Sequence, residues 1–159
     1  MPTLLTKGSQ TTTTRHVDLK ILGDSIIKKL GRPWVALGRG PDGYDCWGLV
    51  VSVWKDIGWT SAPDFPYGSE FTERREALVS IVEEKKVHDI NWVPRESPAD
   101  GCLCVMFKYG HAYHVGIYAD GTVFHCVEGR GVLGTSVQKT LTLGYEKIEF
   151  YDNKEMPWL

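Results

Sequence analysis

The chain lacks a surplus of either charge. Its 159 residues carry 18 Lys and Arg against 20 Asp and Glu, a formal net charge of −2, with a pI near 6.2. That balance argues against the broad basic face of a nucleic-acid binder and fits a small substrate or a protein partner. No apolar run approaches the length of a membrane span, so membrane insertion is not expected. The opening segment, MPTLLTKGSQTTTTRH, has no apolar stretch of signal-peptide length. The expectation is a protein made and folded in the cytoplasm; if it acts outside the cell, something other than a leader carries it there. The four cysteines, Cys46, Cys102, Cys104 and Cys126, form no C-x-x-C pair and no small-secreted-domain spacing. Reduced thiols are therefore expected. The usual Cys and His ligand spacings of a structural zinc are also missing, so no metal is expected.

What is present is ordinary for one globular domain: 42% hydrophobic and 24% charged residues in a length that suits a single core. Residues 1–16, polar and threonine-rich towards their end, are expected to form a flexible N-terminal arm, and residues 17–159 the single domain. Leu19, Ile21, Leu22, Ile26, Ile27 and Leu30 recur at helical spacing until Gly31 and Pro33 stop the run. Gly38, Gly40, Pro41 and Gly43 make 35–45 a loop. Trp47, Val50, Val51 and Trp54 give a second helical stripe, so a helix is predicted over 46–57. A third, more polar helix is predicted over roughly 70–87. Beyond Pro94 the segments 102–107, 113–119, 122–127 and 145–151 read as short strands. Helices first and an antiparallel sheet afterwards give an α+β domain.

The stretch GRGPDGYDCWGLVVSVW (38–54) carries the first chemical signal. A glycine-rich turn delivers Cys46 to the start of an apolar helix. Asp45 is a good N-cap residue, so the sulfur sits beside the unpaired N–H groups and positive end of the helix. Lowering a thiol from about 8.5 to about 6 requires roughly 3.4 kcal/mol. A helix terminus provides roughly 0.3–1 kcal/mol, about 2 when partly buried. A neighbouring cation, usually imidazolium, must supply the remainder. On this stretch alone two readings stand: a reactive thiol, or a small buried hydrophobe.

The histidines come from a hairpin. Asp120-Gly121 is a strong two-residue turn signal. It sets Ala119 opposite Thr122, Ile117 opposite Phe124 and Gly116 opposite His125. Alternation then puts His114 and His125 on one face, as diagonal neighbours with backbones roughly 7–8 Å apart. Gly116 leaves the second ring room. One imidazole can take a thiol proton while the other orients it. Two half-buried structural histidines, or two metal ligands, are the alternatives.

Four pieces, GRPWVALGRGPDGYDCWGLV (31–50), PADGCLCVMF (98–107), HVGIY (114–118) and VFHC (123–126), occur in an order that resembles the NlpC family of papain-like cysteine peptidases. The resemblance covers about residues 17–151. The Asp-Cys-Trp-Gly form after Gly-Arg-Gly-Pro-Asp-Gly is similar to the branch found in tail-assembly and tail-tip proteins of long-tailed bacteriophages. It implies a helical half packed on a small antiparallel sheet. It also implies Cys46 as nucleophile, His114 as general base and acid, and His125 as the third polar residue. The implied substrate is the peptide stem of peptidoglycan, near the γ-D-glutamyl to diaminopimelate bond. Implied partners are other tail-tip proteins, the implied destination is a virion tail or tail-like particle delivered to the periplasm and cell wall, and no cofactor is implied. Trp34 stands where the family commonly has tyrosine, as an indole N–H donor near the oxyanion or a wall of the cleft. Asp45 is either a contact for a substrate amine or only the helix cap. Cys102 replaces a usual aspartate in a turn.

Two rival functions keep the same residues. One is a structural tail component with a silent site, against which the retention of Cys46, His114 and His125 counts. The other is an amidase or acyltransferase on the same fold. His16, His88 and His111 carry no functional expectation, with His111 placed in a loop. Cys104 and Cys126 read as core thiols. Trp59 and Trp158 are candidates for a partner-facing surface.

Overall fold

The first helix, α1 (Leu19–Lys29), starts where the sequence provides a cap: the Asp18 carboxylate accepts from the backbone N–H groups of Lys20 and Ile21 at 3.0 and 3.1 Å. The computed structural model describes residues 15–64 and 91–159. Of the six apolar residues in the predicted stripe, only Leu22 and Ile26 are buried, whereas Leu19, Ile21, Ile27 and Leu30 are exposed. The contact line is narrow because Ser25 and Lys29 occupy part of it. Lys29, itself buried, donates to Ser25 and to Asp56 of the second helix. That helix, α2 (Cys46–Asp56), begins at the predicted residue and is buried nearly all round: Trp47, Leu49, Val50, Val51, Val53 and Trp54 are all at or below 2% exposure. It is the central rod of the domain, which an apolar stripe on one face understates.

Six strands follow: β1 (Trp92–Arg95), β2 (Leu103–Lys108), β3 (His111–Ala119), β4 (Thr122–Val127), β5 (Gly131–Ser136) and β6 (Lys147–Asn153), with a short helix α3 (Val137–Leu141) between the last two. They form one sheet in the order β1-β6-β2-β3-β4-β5, and every pairing is antiparallel. The architecture is the α+β arrangement that the sequence predicts.

Three elements were not predicted, and each has a physical reason. β1 contains Pro94, which demotes a strand to a sheet edge, and β1 does lie at the edge, paired only with β6. β5 starts at Gly131 and is interrupted by Gly134, and glycines weaken a strand signal. α3 is five residues long, too short for any periodicity. β3 also starts earlier than expected. A tight turn at Tyr109-Gly110, with φ of 56° and 77°, pairs His111 with Lys108, so His111 is an exposed strand residue and not part of a loop. The helix predicted over 70–87 lies outside the described residues, as do His88 and residues 1–14 of the expected arm. Arg15 and His16 are tied to the domain, Arg15 by Asp152 at 2.8 Å and His16 by the Trp158 carbonyl at 2.7 Å.

The two sheet faces carry different clusters. Leu103, Val105, Val115, Ile117 and Tyr151 join the residues of α1 and α2 in the main core. Cys104, Met106, Val123 and Phe150 form a second cluster, against which Tyr118, Val137 of α3 and Tyr145 pack. Trp47, Trp54, Trp59 and Trp158 form a chain of T-shaped and tilted ring contacts through the main core, with successive ring centroids 5.8, 5.0 and 6.1 Å apart. Trp59 and Trp158 are 2% and 3% exposed, so neither presents a partner-facing surface.

Candidate active site

Cys46 is the first residue of α2 and the only one of the four thiols that is not buried. The predicted cap is formed: Asp45 Oδ1 accepts from the Gly48 backbone N–H at 2.7 Å. Asp45 itself is fully buried, and Oδ1 also accepts from the Arg39 guanidinium at 2.9 Å. Arg39 reaches on to Asp64, with Nε 2.9 Å from Oδ2. One guanidinium thus ties the glycine-rich loop, the helix cap and the segment after α2 together. The cap is the role this geometry fills; a contact with a substrate amine would require the carboxylate to emerge from its burial. Trp34 is half-buried against the main core and bridges to Tyr44 in the same loop.

The loop approaches α2 very closely. A Cβ built on Gly48 would lie 1.8 Å from the Gly38 carbonyl oxygen. Glycine inside a helix costs about 1 kcal/mol relative to alanine, and here that cost allows two backbones to pass.

The hairpin has the expected register: Ile117 pairs with Phe124, Tyr118 with Val123 and Ala119 with Thr122. Asp120 and Gly121 take φ of 46° and 79°, as a two-residue turn of this kind demands. His114 and His125 meet as predicted, with Nε2 of the first 2.9 Å from Nδ1 of the second. Their rings stand 5.1 Å apart at 67°, both inside the protein. A Cβ on Gly116 would lie 2.7 Å from the Phe124 carbonyl and 3.1 Å from His125 Cβ, so the room for the second ring is real. On its far side His125 Nε2 is 3.0 Å from Thr135 Oγ1.

Tyr145 was not singled out in the sequence, yet it packs against the histidine pair. Its ring lies parallel to that of His114, 5.7 Å away with an interplanar angle of 2°. Burial pushes its phenol up to about 12, helped by the nearby charge of Cys46. Burial likewise pushes Cys126 up to about 12, with Cys46 and then Asp45 as further causes; Cys126 is an inert core thiol that donates to the Tyr44 carbonyl. No local pattern marks Tyr145, because it reaches the site from the turn before β6. Cys102, at the family's aspartate position, closes a turn through its N–H to the Ala99 carbonyl at 3.0 Å and is buried. Among the described residues no group of His, Cys, Asp and Glu is placed to hold a metal.

The imidazoles are neutral at rest. Burial, reinforced by His125, holds His114 well below the ordinary imidazole range, and burial lowers His125 to about 4. An imidazolium was expected beside the thiol; burial instead favours the neutral form of both rings, the form able to accept a proton. This has a consequence for stability. Between pH 6.5 and about 4 the unfolded chain protonates its His125 and the folded chain does not. The contribution is fully present above pH 6.5 and fades as pH falls to about 4. It amounts to on the order of 3 kcal/mol. Urea titrations at pH 7 and pH 4.5 should therefore show a marked acid loss that is smaller in His125→Asn. An equal loss in both proteins would contradict the assignment.

A cysteine heading the central helix and a histidine pair on the adjoining antiparallel sheet place the domain in the papain-like class. The chain belongs to the NlpC/P60 family, whose model matches residues 31–145. Its fold is similar to that of NlpC1 from Trichomonas vaginalis, with a TM-score of 0.58 and 17% identity over 90% of this chain and 46% of that one. It is also similar to an NlpC/P60 family protein from Bacillus cereus, with a TM-score of 0.54 and 18% identity over 88% and 41% of the two chains. A lipoprotein-like NLP/P60 protein from Staphylococcus aureus gives a TM-score of 0.50 and 18% identity over 87% and 43%. The chain spans less than half the length of each of these three structures. No curated protein matches it. Among the described residues no helix is long and apolar enough to cross a membrane.

Proposed function

We propose that this domain is a cysteine peptidase that cuts the peptide stem of peptidoglycan through an acyl-enzyme. The observation that carries the reading is the buried His114–His125 hydrogen bond in a family member whose central helix starts at a half-exposed cysteine. The Cys46 proton passes to His114, and the thiolate attacks the scissile carbonyl. The backbone N–H of Cys46, at the helix start, helps to hold the developing oxyanion. His114 returns the proton to the amine as the C–N bond breaks, leaving a thioester. Water, deprotonated by His114, releases the acid and restores the thiol. His125 positions His114 throughout. Trp34, in the loop beside Cys46, forms a wall of the cleft, and Asp45 holds the helix start. No metal or organic cofactor takes part.

The motif GRGPDGYDCWGLV supports a finer placement in the tail-tip branch of the family. In that setting the protein is assembled with other tail-tip proteins and reaches the cell wall aboard a virion or a tail-like particle. A thiol-reactive probe tests the first step. At neutral pH it should label Cys46 well before Cys102, Cys104 and Cys126, which are buried. Equal labelling of all four would remove the basis for a selectively reactive thiol.

A further inference from the structure

The hydrogen-bond chain does not stop at His125. Beyond the 3.0 Å contact with His125 Nε2, Thr135 Oγ1 lies 2.6 Å from Thr140 Oγ1. Thr140 Oγ1 in turn lies 2.7 Å from the Ser136 carbonyl oxygen. A carbonyl accepts and never donates. The single hydroxyl hydrogen of Thr140 is therefore committed to Ser136, and Thr140 can only accept from Thr135. The single hydrogen of Thr135 is then committed in turn, so its oxygen can only accept from His125. A neutral imidazole carries one N–H. With that hydrogen on Nε2, His125 Nδ1 is a bare acceptor, and the 2.9 Å contact with His114 Nε2 must be donated by His114. The one ring nitrogen left with an open lone pair is His114 Nδ1.

We infer that Thr135 and Thr140 are positioning residues that fix the tautomers of both histidines, through a hydroxyl relay anchored on the Ser136 carbonyl, so that His114 presents Nδ1 as the base. The inference deepens the peptidase reading, on which its kinetic part rests. The relay is built into the fold. Ser136 caps α3, accepting from the Lys139 N–H at 3.0 Å, and Thr140 sits fully buried one turn later. The junction of β5 and α3 thus sets the direction of four successive hydrogen bonds. The low affinity of both imidazoles for a second proton keeps them in the neutral form in which a tautomer has meaning.

Two measurements test it. Long-range 1H–15N correlation spectra of the wild-type imidazoles at pH 7 should show Nε2–H on both His114 and His125. Nδ1–H on either ring overturns the relay, and no variant has to fold for that result to count. In Thr135→Val the acceptor is gone, so His125 should shift towards Nδ1–H and drive His114 to Nδ1–H. The kcat of peptide cleavage should fall about 10- to 100-fold with KM nearly unchanged, and Thr135→Ser should restore both the spectrum and the rate. Unchanged tautomers and kcat in Thr135→Val, with activity still dependent on Cys46, would overturn the relay and leave the peptidase reading standing. Shifted tautomers in Thr135→Val, together with a wild-type protein that cleaves no stem peptide, would support the relay while the peptidase reading fell.

Discussion

Gly48→Ala should be among the most destabilising single-methyl changes in this domain. The added Cβ would stand 1.8 Å from the Gly38 carbonyl oxygen, and backbone cannot turn away as a side chain can. Either α2 or the 38–45 loop must move. The loop is held by the Asp45 N–H to Gly38 carbonyl bond at 3.2 Å and by the Gly40 N–H to Gly43 carbonyl bond at 2.9 Å, and the Asp45 cap bonds the N–H of Gly48 itself. The gain in helix propensity, about 1 kcal/mol, is outweighed by overpacking, which costs roughly 1–3 kcal/mol and occasionally more. A net loss near 2 kcal/mol, from an overpacking cost at the upper end of that range, corresponds to a fall in Tm of roughly 4–8 °C in a chain of this size. Calorimetry measures it directly, and probe labelling of the folded variant should lose its preference for Cys46. A Tm equal to that of the wild type would show that the loop does not ride on the helix start.

The largest effect on chemistry belongs to His114→Gln. Glutamine has an amide N–H that can still donate to His125 Nδ1, and its volume fills much of the space under Tyr145. Stability should therefore change little. Glutamine has no basic nitrogen, so neither the thiol proton nor the leaving-group proton can be relayed. General acid–base catalysis contributes roughly 10²- to 10⁴-fold, and kcat for stem-peptide cleavage should fall by that order. Thermal unfolding run beside the kinetics separates the two outcomes. A stable variant that keeps its kcat would remove His114 from the reaction.

The parts of the site that were legible in the sequence are those fixed by local rules. A capped helix start located Cys46, because N-cap chemistry is a property of adjacent residues. A two-residue turn fixed the hairpin register, and register fixed the meeting of His114 with His125. What was missed enters from elsewhere in the chain. Tyr145 comes from a turn with no distinctive pattern. Arg39 is one more arginine in a loop until Asp45 and Asp64 are seen on either side of it. Thr135 and Thr140 lie on a glycine-interrupted strand and a five-residue helix, neither of which periodicity detects. The charge state of His114 was also out of reach, since it depends on burial by residues far apart in the chain. The exposed side of α1 shows the reverse limit: its apolar spacing is helical, yet spacing alone does not tell which of those residues find a neighbour.

The central claim is that the Cys46 sulfur, served by His114 and His125, opens a peptide bond of the cell wall. Mass spectrometry of muropeptides incubated with purified protein tests it most directly, with Cys46→Ala run in parallel. The account predicts shortened stem peptides from the wild-type protein and none from the equally folded variant. Identical muropeptide profiles from the two proteins would contradict it, whether both cut or neither does.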